Sequence, residues 1–238
     1  NNDCYINKVS IIVIRFFKHN VILRCCSFEP EFDRNIPNKV KLIAAAEDYL
    51  QGREWWLLPR RHRFIYQPTV LQTRLKALFP DLATVGLAND DWQSLTIKIK
   101  RRQPAAHWCE EKCYLLDNEA VIFAPAPTFD QPIFFEWRRS PTGPVAPVLG
   151  QAVLPLITYQ TLNDFRQQLV AWLTGLNPAP RLLRAELGES GDVSFVIDRP
   201  AGLAARSWSL KINWSNDLAI EWRNLQTITP TLRSALNR

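Results

Sequence analysis

The stretch Ser94–Asp117, SLTIKIKRRQPAAHWCEEKCYLLD, holds a change of texture that divides the chain. Leu95, Ile97 and Ile99 alternate with Thr96, Lys98 and Lys100, so apolar side chains point one way and polar ones the other, as on a half-buried strand. Pro104 interrupts the pattern. Beyond it AHWC and CYLLD face each other across Glu110-Glu111-Lys112, a hairpin spacing. The domain boundary is therefore expected near residues 101–105.

The two cysteines of this hairpin admit three readings. His107, Cys109 and Cys113 supply three ligand types for a metal, but a tight strand turn lacks the usual zinc-knuckle loop. A catalytic redox pair uses C-x-x-C at a helix start, where the dipole lowers the thiol pKa, and here the flanks are strand-like. The third reading is a disulfide between Cys109 and Cys113 that pins the hairpin register, which suits an oxidising compartment.

Working outward, residues 5–16 read as a β-branched strand and residues 24–37 as loop punctuated by Pro30 and Pro37. A helix follows between the cap Asn38 and the stop Gly52, with Leu42, Ile43, Ala46, Tyr49 and Leu50 on one face. A second helix starts at Pro68 and ends at Pro80, and strands follow at 84–88 and 94–100. The first half thus reads strand, helix, helix, strand, strand. In the second half, short strands at 120–123 and 132–137 lead to a Pro/Gly loop at 140–150. Thr161 and Asp164 resemble a capping box for a helix over 161–176. Three strands then run at 192–198, 206–213 and 217–223, and Thr229-Pro230 opens a tail helix. The expected fold class is α+β, with helices on one face of a mainly antiparallel sheet.

The 238 residues include 47% hydrophobic and 22% charged positions, a composition that argues against disorder over most of the chain. The net charge of +6 favours an anionic partner such as nucleic acid or a membrane surface. Three histidines lack metalloprotease spacing, and eight glycines are too few and too scattered for a dinucleotide loop. No nucleophile elbow occurs, so the sequence points to a non-catalytic protein without cofactor or metal. The run WWLLPRRHRFIY, with Trp55, Trp56, Phe64 and Tyr66, combines rings and cations as single-strand binders do. Its alternative is a long connection wedged onto the core by those rings. Val9–Phe17 is apolar but interrupted by Arg15, and is too short for a membrane span.

SLTIKIKRRQPAAHW is similar to a passage of the FtsQ/DivIB family, tL-x-I-x-v-x-E-R-x-P-x-A-x-W, and LLDNEAVIF is similar to that family's L-v-D-x-x-G-x-v-F. LKALFPDLATVGL and NLQTITPTLRSAL also resemble family segments, and the likeness spans roughly residues 38–238. The chain differs from the pattern at Arg101, where the family has an acid, and at Ala120, where it has a turn glycine. The resemblance implies a POTRA-like domain over 38–103 and an FtsQ-type β domain over 104–238. Residues 1–37 match poorly and include a first POTRA strand. It further implies a scaffold of the bacterial cell-division complex on the extracytoplasmic side of the plasma membrane, anchored by one upstream helix. Its expected partners are an FtsB/FtsL-type coiled-coil pair and septal synthase components, without nucleic acid. The alternatives are a POTRA-bearing secretion or outer-membrane assembly component and a basic nucleic-acid module.

Two surfaces follow as candidates. A last strand built from Asp217, Leu218, Ala219, Ile220, Glu221, Trp222 and Arg223 offers an edge to an incoming partner strand, with Ile220 and Trp222 as anchors. The basic junction of Lys98, Lys100, Arg101 and Arg102 suits a partner or anionic lipid.

Overall fold

The computed structural model describes residues 9–16, 21–26, 39–51, 53–54, 58–59, 67–91, 94–128, 133–139, 147–176, 179–188, 190–198, 207–214 and 218–236. The chain divides into two units, Asn1–Arg102 and Gln103–Arg238. Its fold is α+β, with four helices among the described residues and mostly antiparallel sheets.

In the first unit, β1 (Val9–Phe16), β2 (Val21–Cys26), β5 (Leu82–Asp91) and β6 (Ser94–Arg101) form one antiparallel sheet in the order β2-β1-β6-β5. A two-strand ladder, β3 (Arg53–Glu54) with β4 (Leu58–Pro59), lies between the helices in sequence. Helix α1 (Lys39–Gln51) buries Leu42, Ala46 and Tyr49, which recur at helical spacing. Helix α2 (Pro68–Leu78) begins on Pro68, whose missing N–H removes no intrahelical bond at that position. Leu71 and Leu75 of α2 share a core with Leu95, Ile97 and Ile99 of β6. The alternation read from β6 therefore sets its apolar side against the helices. The expected loop at 24–37 is in part strand, since β2 extends to Cys26 and pairs with β1 from Ile11 to Phe16. Its β-branched Val21 and Ile22 favour that conformation.

In the second unit, seven strands pair in the order β13-β12-β11-β10-β7-β8-β9. They are β7 (Ala106–Cys109), β8 (Cys113–Leu116), β9 (Ile122–Pro125), β10 (Phe135–Arg139), β11 (Arg181–Leu187), β12 (Asp192–Asp198) and β13 (Trp208–Asn213). Only the two pairings of β10, with β7 and with β11, are parallel. Helices α3 (Leu156–Thr174) and α4 (Leu218–Leu236) join the same core. At its centre Trp137 is fully buried, with Phe135, Tyr159 and Phe195 edge-on at 5.1, 6.0 and 6.3 Å. Burial pushes the Tyr159 phenol up to about 12, against the opposing pull of Arg166.

Helix α3 corrects the expected capping box. It starts after Pro155, so Thr161 lies inside it and its hydroxyl donates to the Ile157 carbonyl at 2.8 Å. The helix begins earlier because Pro155 stops the preceding chain, and Tyr159 and Leu162 extend the apolar stripe upstream.

The turn Asp117–Val121 is built around one buried carboxylate. Asp117 Oδ1 accepts from the N–H groups of Glu119 and Val121, both at 2.9 Å. The turn brings Ala120 to φ 61°, the left-handed region, with its methyl fully buried. That is the position where the resemblance places glycine. A β-branched side chain there adds left-handed strain to overpacking, so Ala120→Val is expected to cost about 2–4 kcal/mol. Urea titration of the second unit's transition reads it; a loss under about 1 kcal/mol contradicts the turn geometry.

Candidate partner-binding edge

The expected edge strand at residues 217–223 is not a strand. Asp217 lies outside the described residues, and Leu218, Ala219, Ile220, Glu221, Trp222 and Arg223 open helix α4. Leu218, Trp222 and Leu225 recur at i, i+4 and i+7 and turn to the core, where Trp222 meets Phe165 edge-on at 5.8 Å. Alternation and helical spacing share the pair Leu218 and Trp222. The core decides for the helix through Leu225, which an alternating strand would carry to the opposite face. Ile220 is on the exposed side. The helix also runs on through Thr229-Pro230 where a separate tail helix was expected.

The edge that the sheet leaves open is β13. It pairs with β12 from Trp208 to Asn213 and has no second neighbour among the described residues. Just beyond it the Trp214 N–H donates to the carbonyl of Gly191 at 2.9 Å. Gly191 sits at φ 82°, which glycine adopts without steric cost. Trp214 and Gly191 continue the register of Asn213 with Asp192 by one step. Antiparallel partners alternate between bonded and non-bonded pairs, so Trp208, Leu210 and Ile212 bond to β12. Ser209 and Lys211 therefore turn their N–H and C=O groups away from the sheet. Their side chains are exposed, whereas Ile212 is buried.

The opposite edge, β9, is sealed. Ile122 N–H donates to the Gln151 carbonyl (3.2 Å), Gly150 N–H to the Ile122 carbonyl (2.7 Å) and Val153 N–H to the Ala120 carbonyl (2.9 Å). Pro125, at the far end of β9, has no N–H to offer. One sheet thus carries one blunted edge and one presented edge, and blunting is how sheets avoid indiscriminate pairing.

Polar side chains fix the presented edge. Asp192 accepts from Ser190 Oγ (2.9 Å) and Asn213 Nδ2 (3.1 Å), and its Oδ2 lies 2.9 Å from Lys211 Nζ. The hydrogen bond from Lys211, then that from Ser190, holds the Asp192 carboxyl below the usual carboxylate range. The Asn213 and Lys211 contacts tether β13 to β12, and the outer side of β13 has no strand partner among the described residues.

The other sequence candidates fall elsewhere. Cys109 and Cys113 are cross-strand partners joined by a disulfide, Cα–Cα 4.1 Å, with Cys109 buried and Cys113 exposed. Both sulfurs are bonded to each other, so neither is a thiolate ligand for a metal in this form. His107 stands beside the Phe134 ring at 5.3 Å, and burial lowers its pKa more than Glu136 raises it. Among the described residues no group of three or more His, Cys, Asp or Glu side chains is placed to hold a metal ion. Replacing both cysteines by alanine should cost about 2 kcal/mol, the chain-entropy value for so short a loop. Denaturation without reductant checks it, and an unchanged midpoint contradicts a register-pinning role.

The basic junction splits in two. Lys98 and Lys100 are exposed on the side of β6 away from the helices. Arg101 is engaged by Asp81, with Nη2 at 2.7 Å and Nε at 3.1 Å from Oδ2, and the Arg102 N–H donates to the Asp81 carbonyl. Trp55, Trp56, Phe64 and Tyr66 lie outside the described residues. So does Cys4, while Cys25 and Cys26 end strand β2. No described helix is long and apolar enough to cross a membrane.

Compared with known proteins, the sequence matches no family model and no curated protein.

Proposed function

We propose that this chain is a non-catalytic scaffold of the FtsQ/DivIB kind, working in the bacterial cell-division complex outside the plasma membrane and recruiting partners by strand addition at β13. The observation that carries this reading is the asymmetry of the seven-stranded sheet, sealed at β9 and open at Ser209 and Lys211. An extended partner segment that pairs there gains main-chain hydrogen bonds, and the flanking side chains supply selectivity. Three further features support it. The first unit carries two helices followed by two strands, with β6 between β1 and β5, in keeping with a POTRA-like arrangement. The Cys109–Cys113 disulfide suits an oxidising compartment. The sequence passages on either side of Pro104 resemble that family.

The partner class under this reading is an FtsB/FtsL-type coiled-coil pair, and the anchor is a helix upstream of Asn1. Titrating the folded chain with a soluble form of that pair is expected to give a saturable complex. Absence of a complex, with both components folded, rejects the division reading.

A further inference from the structure

We propose that the Cys109–Cys113 disulfide is a thiol-exchange site, at which a dithiol attacks the Cys113 sulfur and releases Cys109. The chain is the substrate of this exchange, and the inference concerns the β7–β8 hairpin alone, apart from the division reading. The two sulfurs differ in access. Cys113 is exposed at the start of β8, whereas Cys109 is 1% exposed. Exchange is a displacement at sulfur, with the attacking thiolate in line with the departing one, so access along that line decides which sulfur is attacked. The cysteines are direct cross-strand partners, and their bond lies across the sheet from β8 to β7. Beyond Cys113 on that line is Ala126, whose N–H donates to the Cys113 carbonyl at 2.9 Å and which continues the register of Tyr114 with Pro125 by one step. Beyond Cys109 is Arg138, its register partner on β10, with a side chain tied to Glu136 at 2.8 Å. A methyl group therefore flanks the approach to Cys113, and a long paired side chain the approach to Cys109. Arg138 also sets a cation on the side of the sheet where the Cys109 thiolate departs.

A dithiol closes the electron count. One of its thiolates bonds to Cys113 Sγ. The Sγ–Sγ bond breaks, and its electron pair leaves on Cys109 Sγ, which takes up a proton. The second thiol of the reductant then attacks the reductant's own sulfur in the mixed disulfide, and Cys113 leaves as a thiolate that is protonated in turn. The protein gains two electrons and two protons, and the dithiol is oxidised to its disulfide. The hairpin keeps its other ties in both forms. The Glu110 N–H donates to the Lys112 carbonyl at 3.1 Å, and Trp108 Nε1 to Glu110 Oε1 at 3.1 Å. Strand β7 also pairs with β10, and β8 with β9. The bond closes only the turn Glu110-Glu111-Lys112, so it constrains the unfolded chain less than a long loop would.

The test is peptide mapping of the folded full chain after brief exposure to reduced glutathione, a monothiol that stops at the mixed disulfide. The reaction is quenched with acid, and free thiols are alkylated in denaturant. Trypsin cleaves after Lys112 and puts the two cysteines on separate peptides. Glutathione is expected on Cys113 and the alkyl group on Cys109, with a preference of at least about ten-fold that vanishes in urea. Dithiothreitol should reduce the bond completely without changing the circular dichroism of the chain. Ala126→Leu enlarges the side chain in the line of attack and should slow both reactions by at least about ten-fold. If circular dichroism shows that variant to be misfolded, the peptide map of the parent chain carries the test. Glutathione mainly on Cys109, or on both sulfurs alike in the folded chain, overturns the proposal. So does a bond that thiols reach only after unfolding, or an undiminished rate in folded Ala126→Leu.

Discussion

Trp137→Ala is expected to remove about 4–5 kcal/mol from the second unit, the upper end of what truncating a buried aromatic costs. Domains of this size hold only about 5–15 kcal/mol in total, so the variant sits close to its unfolding threshold. Trp137 lies on β10, the strand both of whose neighbours run parallel to it, and three aromatic rings surround its indole. Truncation leaves a cavity that these rings can fill only by breaking their edge-on contacts. The first unit has a separate core around Leu71 and Ile97, so its transition should not move. Trp137→Phe should behave differently. The buried Nε1 of Trp137 has no hydrogen-bond partner among the described residues, and an unpartnered donor costs about 1–3 kcal/mol. Removing it offsets much of the lost ring volume, leaving a net change within about 1–2 kcal/mol. Arg138→Ala, with an exposed side chain beside Glu136, should stay within about 0.5 kcal/mol. Amide exchange resolved by unit measures all three. A loss below about 2 kcal/mol for Trp137→Ala contradicts its central place in the core.

If the chain recruits an FtsB/FtsL-type coiled-coil pair as proposed, Ser209→Pro is expected to abolish that capture while leaving the fold in place. Proline removes an N–H, and at Ser209 that N–H points away from β12. The ladder inside the sheet loses nothing, and an edge strand with that N–H turned outward is a setting in which proline is tolerated. Lys211→Pro removes the second outward donor and also the contact of Lys211 with Asp192, so it should abolish capture with a larger effect on stability. Leu210→Pro is the contrasting case, because its N–H belongs to the β12 ladder; it should disrupt folding. Each outward hydrogen bond is worth about 0.5–1.5 kcal/mol, and loss of pairing register at the substituted site removes its neighbours as well. The expected weakening is therefore at least roughly ten-fold. Unchanged affinity of Ser209→Pro moves the interface off this edge.

Much of the architecture can be read from the residues. Pro68, the Leu71 and Leu75 spacing, the alternation of β6 and the hairpin around Glu110–Lys112 are local signals, and each agrees with the packing built on it. The readings that differ are those in which two periods compete. Leu218, Ile220 and Trp222 alternate, yet Leu218, Trp222 and Leu225 also keep helical spacing, and only the shared core selects between them. Strand β11 was not expected at all. Its sequence RLLRAEL consists of good helix formers, and its place between β10 and β12 overrides that propensity. The start of α3 was displaced because Thr161 has a good cap side chain but uses it on Ile157. For the candidate site, the alternating pattern of a terminal strand falls on Leu218–Arg223, the segment after the edge strand β13. The sealing of β9 by residues 150–153 is a long-range pairing with no local signature.

The central claim is that β13 presents unpaired backbone to a companion strand. Amide hydrogen exchange of Ser209 and Lys211, with and without the coiled-coil pair, tests it most directly. The account predicts fast exchange of these two amides in the free chain, slower exchange of Leu210 and Ile212, and strong protection of Ser209 and Lys211 in the complex. Protection of Ser209 and Lys211 already present in the free chain, or exchange unaltered by a bound partner, would contradict it.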